Sequence, residues 1–161
     1  MRTIVFVLAI VVGPAVSAAE AFNAHTLEGE SVRLSEFFEP SKWTLVMMWT
    51  TYCKVCAEQF PAIEALHRKH YDKTLKVVGI AVDGLPQRAV IAAELSRRKT
   101  TFDSLVGEIA DISASLARAT GEALSGTPTY LLFNAEGEVA ARINGPIQVE
   151  AVERYITDNA L

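Results

Sequence analysis

Cys53 and Cys56 are the only cysteines in the chain, separated by Lys54 and Val55. Just before them, Leu45-Val46-Met47-Met48-Trp49 is a short, continuous apolar run of the kind a buried strand makes. After them, Val55, Phe60, Ile63 and Leu66 recur at roughly helical spacing. Cys53 is therefore expected at a strand-to-helix junction, where unpaired helix N–H groups and the positive end of the helix dipole favour a thiolate. The thiolate is the reactive form of cysteine, which makes Cys53 the predicted nucleophile. Cys56, one turn along on the same face, is placed to close a disulfide with Cys53 or to resolve a mixed one. Lys54 either lowers the Cys53 pKa further or is an exposed lysine of little effect.

The elements that must position this pair are legible on both sides of it. Residues 22–34 alternate loosely around Glu28-Gly29-Glu30, which predicts a β-hairpin with glycine in its turn. Ser35 is expected to cap a short helical turn over residues 36–39, halted by Pro40. Strands are predicted at 43–49, 75–82, 102–106, 129–133 and 138–143, the last two joined by the Asn134-Ala135-Glu136-Gly137 turn. Helices are predicted at 54–71, with a kink at Pro61, at 86–98 and at 109–119 with Gly121 as C-cap. An amphipathic helix over 148–159 closes the chain. This order makes an α/β protein, a mixed central sheet with helices on both faces and an N-terminal hairpin.

The N-terminus reads differently from the rest. Arg2, an apolar run over residues 4–12, Gly13-Pro14 and the small residues Ala15-Val16-Ser17-Ala18-Ala19 have the form of a secretory signal peptide. Cleavage is expected after Ala18 or Ala19; residues 1–18 are assigned to the signal and 19–161 to one folded domain. The apolar run is well short of the ~20 residues that cross a bilayer, so a cleaved signal is favoured over a retained anchor. Cleavage after Ala18 removes Arg2 alone among the charges, leaving 14 basic and 19 acidic residues and a net charge of −5. An acidic chain without a basic cluster is a poor nucleic-acid binder. Export places both cysteines in an oxidising compartment, most simply a bacterial periplasm. A disulfide spanning two residues closes too small a loop to stabilise much, which favours redox use over stapling.

Taken together, these residues resemble the thioredoxin superfamily, and most closely its exported TlpA/ResA-like branch. Three segments, within a resemblance running from Phe22 to the C-terminus, carry the likeness: Trp49-x-x-x-Cys53-x-x-Cys56 with Phe60-Pro61; Val77-Val78-Gly79-Ile80-Ala81-Val82-Asp83; and Gly126-Thr127-Pro128-Thr129-Tyr130-Leu131-Leu132-Phe133 with Glu136-Gly137. The resemblance implies a thioredoxin-like fold, Cys53 and Cys56 as catalytic residues, and a cis peptide bond before Pro128. It further implies that the Thr127 backbone faces the cysteine pair and bonds an extended substrate peptide, with Trp49 and Tyr52 near or at the docking surface. Tyr52 stands where the family usually has tryptophan. Met47 stands where thioredoxins carry a buried acid, and Gln59 where ResA-like reductases carry a glutamate, so Cys56 has no obvious carboxylate as proton acceptor.

The implied activity is thiol–disulfide exchange on exported proteins, running toward reduction, with electrons from a membrane-borne thiol reductant and a possible place in cytochrome c maturation. No metal or organic cofactor is implied. Two alternatives share the residues: a disulfide oxidase or isomerase, and a copper chaperone-like module that holds soft metal through its thiols. His67 and His70, at i and i+3, are expected on a solvated helix end rather than as metal ligands. Glu108 and Asp111 read as helix N-terminal acids, and Trp43 and Trp49 as core.

Overall fold

The computed structural model describes residues 17–159. Seven strands, β1 (Asn23–His25), β2 (Ser31–Arg33), β3 (Trp43–Trp49), β4 (Leu75–Ala81), β5 (Asp103–Val106), β6 (Thr129–Phe133) and β7 (Val139–Asn144), form one sheet in the order β2-β1-β5-β4-β3-β6-β7. The centre, β3, β4 and β5, is parallel; β6 and β7 run antiparallel on one side, and the β1–β2 hairpin joins β5 antiparallel on the other. Four α-helices accompany it among the described residues: α1 (Lys54–His70), α2 (Arg88–Arg98), α3 (Ile109–Thr120) and α4 (Val149–Asp158). This is the mixed, doubly covered sheet that the sequence predicts.

Strand periodicity divides the core in two. Leu45, Met47 and Trp49 of β3 point to one face, with Phe60, Ile63 and Leu66 of α1, Ile91 and Leu95 of α2 and Val152 and Ile156 of α4. Val46 and Met48 point to the other, with Phe22, Leu34 and Ile112 and Leu116 of α3. Because side chains alternate across a strand, both faces of β3 must be apolar, which explains its unbroken run. Strand β3 is central: all seven of its residues pair with β4 and five of them with β6. Gly79 of β4 lies under Trp49, where an added Cβ would stand 3.1–3.3 Å from Ser104 Oγ, Phe102 and Trp49 Nε1.

Several boundaries differ from expectation for local reasons. The turn after the hairpin is a 3₁₀ helix at Leu34–Phe37, with Ser35 inside it; Arg33 is the N-cap, and its N–H donates to Glu36 Oε1 at 2.9 Å. Pro86 belongs to a separate 3₁₀ turn, Leu85–Gln87, ahead of α2. Val55 faces solvent although its spacing fits the apolar set, while its neighbour Cys56 in the same first turn of α1 is the residue turned into the core. Helix α1 continues through Pro61. His67 is buried, contrary to the solvated placement expected for it, and lies between Tyr71 and Phe102, with Val77 N–H 3.4 Å from its Nδ1.

Most of the assigned signal segment lies outside the described residues. Its last two residues do join the fold: Ser17 Oγ donates to the Gly137 carbonyl at 2.7 Å, and Ala18 opens a 3₁₀ turn, Ala18–Ala21, in which Ala19, the first residue assigned to the domain, is buried. Among the described residues no helix is long and apolar enough to cross a membrane.

Candidate active site

Trp49 ends β3, and the chain turns through Thr50, Thr51 and Tyr52 into α1. Cys53 is the N-cap residue of α1, in extended conformation, where the helix leaves its first N–H groups without carbonyl partners. One of these, Cys56 N–H, donates to Cys53 Sγ at 3.0 Å. The two sulfurs are joined as a disulfide, with the Cα atoms 5.2 Å apart. Burial distinguishes the two: Cys56 is fully enclosed, whereas Cys53 is partly exposed at the surface. An incoming sulfur can therefore reach Cys53 and not Cys56. Tyr52, 81% exposed, and Val55 form an apolar rim beside it.

The turn that aims Cys53 is fixed from β4. Asp83, just past the end of that strand, accepts from Thr51 N–H at 3.0 Å and from the Thr51 hydroxyl at 2.5 Å. Gly84 follows with φ +88°, and an added Cβ would lie 2.8 Å from a Glu108 carboxylate oxygen. Glu108, at the N-cap position of α3, accepts from Leu85 N–H at 2.9 Å instead of capping its own helix. Sequence reasoning ended the strand at Asp83-Gly84 without giving Asp83 this task; a carboxylate directly after a central parallel strand was the available signal.

The Thr127–Pro128 peptide is cis. Pro128 is buried, and the Thr127 carbonyl oxygen stands 3.4 Å from Cys53 Sγ. The structure thus brings Cys53, Cys56, Thr127 and Pro128 together. Tyr52 lies on the rim, and Trp49 is behind the pair, 1% exposed and packed edge-on against Phe60 at 4.9 Å, so it belongs to the core and not to the surface. Lys54 is exposed.

No carboxylate lies at the two positions where the family pattern would put one. Met47 is fully buried in the core cluster that also holds Cys56. Gln59 Oε1 accepts from Ile147 N–H at 2.8 Å and from the Tyr130 hydroxyl at 3.3 Å, binding α1 to β6 and to the loop before α4. Burial pushes the Tyr130 phenol far above its ordinary range, so it stays protonated and donates. Glu58 faces solvent. Away from the site, His70 Nε2 and Lys69 Nζ share Glu153 Oε1, at 2.6 and 2.7 Å, linking α1 to α4. Among the described residues no group of three or more His, Cys, Asp or Glu is arranged to hold a metal ion.

A Cys-x-x-Cys disulfide at a helix N-terminus, partly open to solvent at one sulfur and facing a cis-proline strand, is the site of the thioredoxin-like class of thiol–disulfide oxidoreductases, and this chain is one of them. It belongs to the AhpC/TSA family, which matches residues 16–142. It is 25% identical over 135 residues to the thiol-disulfide oxidoreductase ResA of Halalkalibacterium halodurans, covering 84% of this chain and 71% of that protein. Its fold is similar to that of StoA from Bacillus subtilis, with a TM-score of 0.61 and 22% identity over 83% of this chain and 94% of that one. It is similar too to a thiol:disulfide interchange protein of Chlorobium tepidum, with a TM-score of 0.67 and 20% identity over 86% and 92% of the two chains.

Proposed function

We propose that the protein is a periplasmic reductase of disulfides in exported proteins, with Cys53 as the attacking residue and Cys56 as the resolving one. The observation that carries the assignment is the contrast between a partly exposed Cys53, whose sulfur accepts a helix N–H, and a fully buried Cys56. Reduced Cys53 attacks a substrate disulfide as its thiolate; one substrate sulfur leaves as a thiolate and takes up a proton. Cys56 then attacks Cys53, closing the internal disulfide and releasing the second substrate thiol. Two electrons have passed to the substrate, and a thiol reductant on the membrane must return them. The partly exposed Thr127 backbone and the Tyr52–Val55 rim would hold an extended segment of the substrate. The reducing direction is what the resemblance to the TlpA/ResA-like branch implies, and service to cytochrome c maturation is one form of it.

Expressed with its first 18 residues, Cys56→Ser is expected to accumulate in the periplasm as mixed disulfides with exported proteins, while Cys53→Ser forms none. Trapping by the Cys53 variant would reverse the roles. Equilibration of the wild-type pair against glutathione tests the direction. A potential near about −270 mV fits a reductase, whereas one near about −120 mV would make the protein an oxidant.

A further inference from the structure

Proline has no N–H, so Pro61 leaves the carbonyl four residues earlier, that of Ala57, without a partner inside the helix. Ala57 is in the first turn of α1, directly after Cys56. Its carbonyl is taken from outside: Arg98 Nη1, at the end of α2, donates to it at 3.0 Å. The same guanidinium lies over the Phe60 ring, 4.7 Å from the centroid. Phe60 meets Trp49 edge-on, and both pack in the core cluster that holds Cys56. The Arg98 side chain is 14% exposed and pairs with Glu94, which Arg97 also engages, so the three charges leave one positive charge over.

We propose that Arg98 is a positioning residue for the redox pair. By holding the carbonyl that Pro61 frees, it fixes the turn whose Cys56 N–H points at Cys53 Sγ, and it sets a largely covered positive charge behind that turn. Both effects favour the reduced protein with Cys53 as thiolate over the uncharged disulfide. The other charged groups on the surrounding elements are differently engaged: Lys54 and Glu58 face solvent, and Asp83 is bound to Thr51. The proposal rests on Cys53 being the attacking thiolate.

The test is the pH dependence of Cys53 alkylation by iodoacetamide in the reduced protein, read by mass, together with the glutathione equilibrium. In that equilibrium two glutathione thiols give two electrons and two protons to the Cys53–Cys56 bond and become glutathione disulfide. Arg98→Met is expected to lower the Cys53 acid dissociation constant about tenfold, one pKa unit. It should move the glutathione equilibrium toward the protein disulfide by a comparable factor. Arg98→Lys, which keeps the charge without the planar fork, should fall between. Glu94→Gln leaves the guanidinium on Ala57 and Phe60 but removes its countercharge, so it should shift both quantities the opposite way; it decides the matter if Arg98→Met does not fold. Thiol ionisation and equilibrium unchanged in Glu94→Gln and in any folded Arg98 variant would overturn the proposal, whatever the loss of stability. A wild-type Cys53 that ionises only at the ordinary thiol value would overturn the attacking-thiolate reading first, and the proposal with it.

Discussion

At the scale of single residues, the site sets a sulfur that accepts a helix N–H beside described neighbours that offer no carboxylate. Cys53 is served by a helix N–H, yet Met47, Gln59 and Tyr130 supply a thioether, an amide and a protonated phenol. A proton leaving Cys56 must therefore pass to water or to the departing substrate thiolate. Gln59 has a different job, because one oxygen accepts from both Ile147 and Tyr130. Gln59→Leu keeps the bulk but leaves both donors without a partner, and an unpaired buried donor costs about 1–3 kcal/mol. The expected outcome is a loss of stability of that order in urea unfolding. Gln59→Glu, which keeps the acceptor oxygen, should lose clearly less. Equal losses in the two variants would deny the amide oxygen this role.

At the scale of elements, α1 carries both the chemistry and its own defect. Pro61 deletes one intrahelical hydrogen bond, and α2 repairs it through Arg98. This makes a pairwise prediction. Arg98→Met leaves the Ala57 carbonyl unpaired in the wild-type background, but Pro61→Ala restores an N–H to fill it. The stability cost of Arg98→Met should therefore shrink by about 1 kcal/mol in the Pro61→Ala background. A double-mutant cycle by urea unfolding reads the coupling; additive effects would show that the two residues do not share the carbonyl. The strand side of the site follows the same logic, since Thr51 in the turn before α1 is held by Asp83, just past the end of β4.

For the molecule as a whole, acid stability depends on groups far from the redox pair. Burial holds His67 below its ordinary pKa of 6.5, outweighing attraction from Glu64 and Asp103. The folded state thus binds fewer protons at this histidine than the unfolded chain does. Stability should fall as pH drops below about 6.5 toward the lowered folded value. Glu64 adds a second, more acidic contribution: burial works against its charge, but the Thr101 hydroxyl and N–H and Arg68 prevail and hold its pKa below the usual 4.5. Its stabilisation is present above the unfolded value and is lost as pH falls through the lower folded one. Urea unfolding at pH 7.5 and 5.5 is expected to show lower stability at the acidic value in wild type and a smaller difference in His67→Gln. An identical difference would place the titrating group elsewhere.

The sequence alone determined the chemistry and the frame that carries it. Two cysteines three apart between an apolar run and a helical pattern are a local arrangement, and local periodicity sufficed to find β3, α1, β4, β6 and β7 to within a residue or two. The resemblance led further, to Thr127–Pro128, where the peptide is cis. What only the tertiary structure decided are contacts between elements distant in the chain. Thr51 with Asp83, Gln59 with Ile147, and Ala57 with Arg98 are separated by 32, 88 and 41 residues. No periodicity links such pairs, because each depends on where the sheet order sets one element against another. His67 shows the same limit from the other side: its spacing suits a solvated helix end, and it is buried because Phe102, at the entry to β5, folds over it.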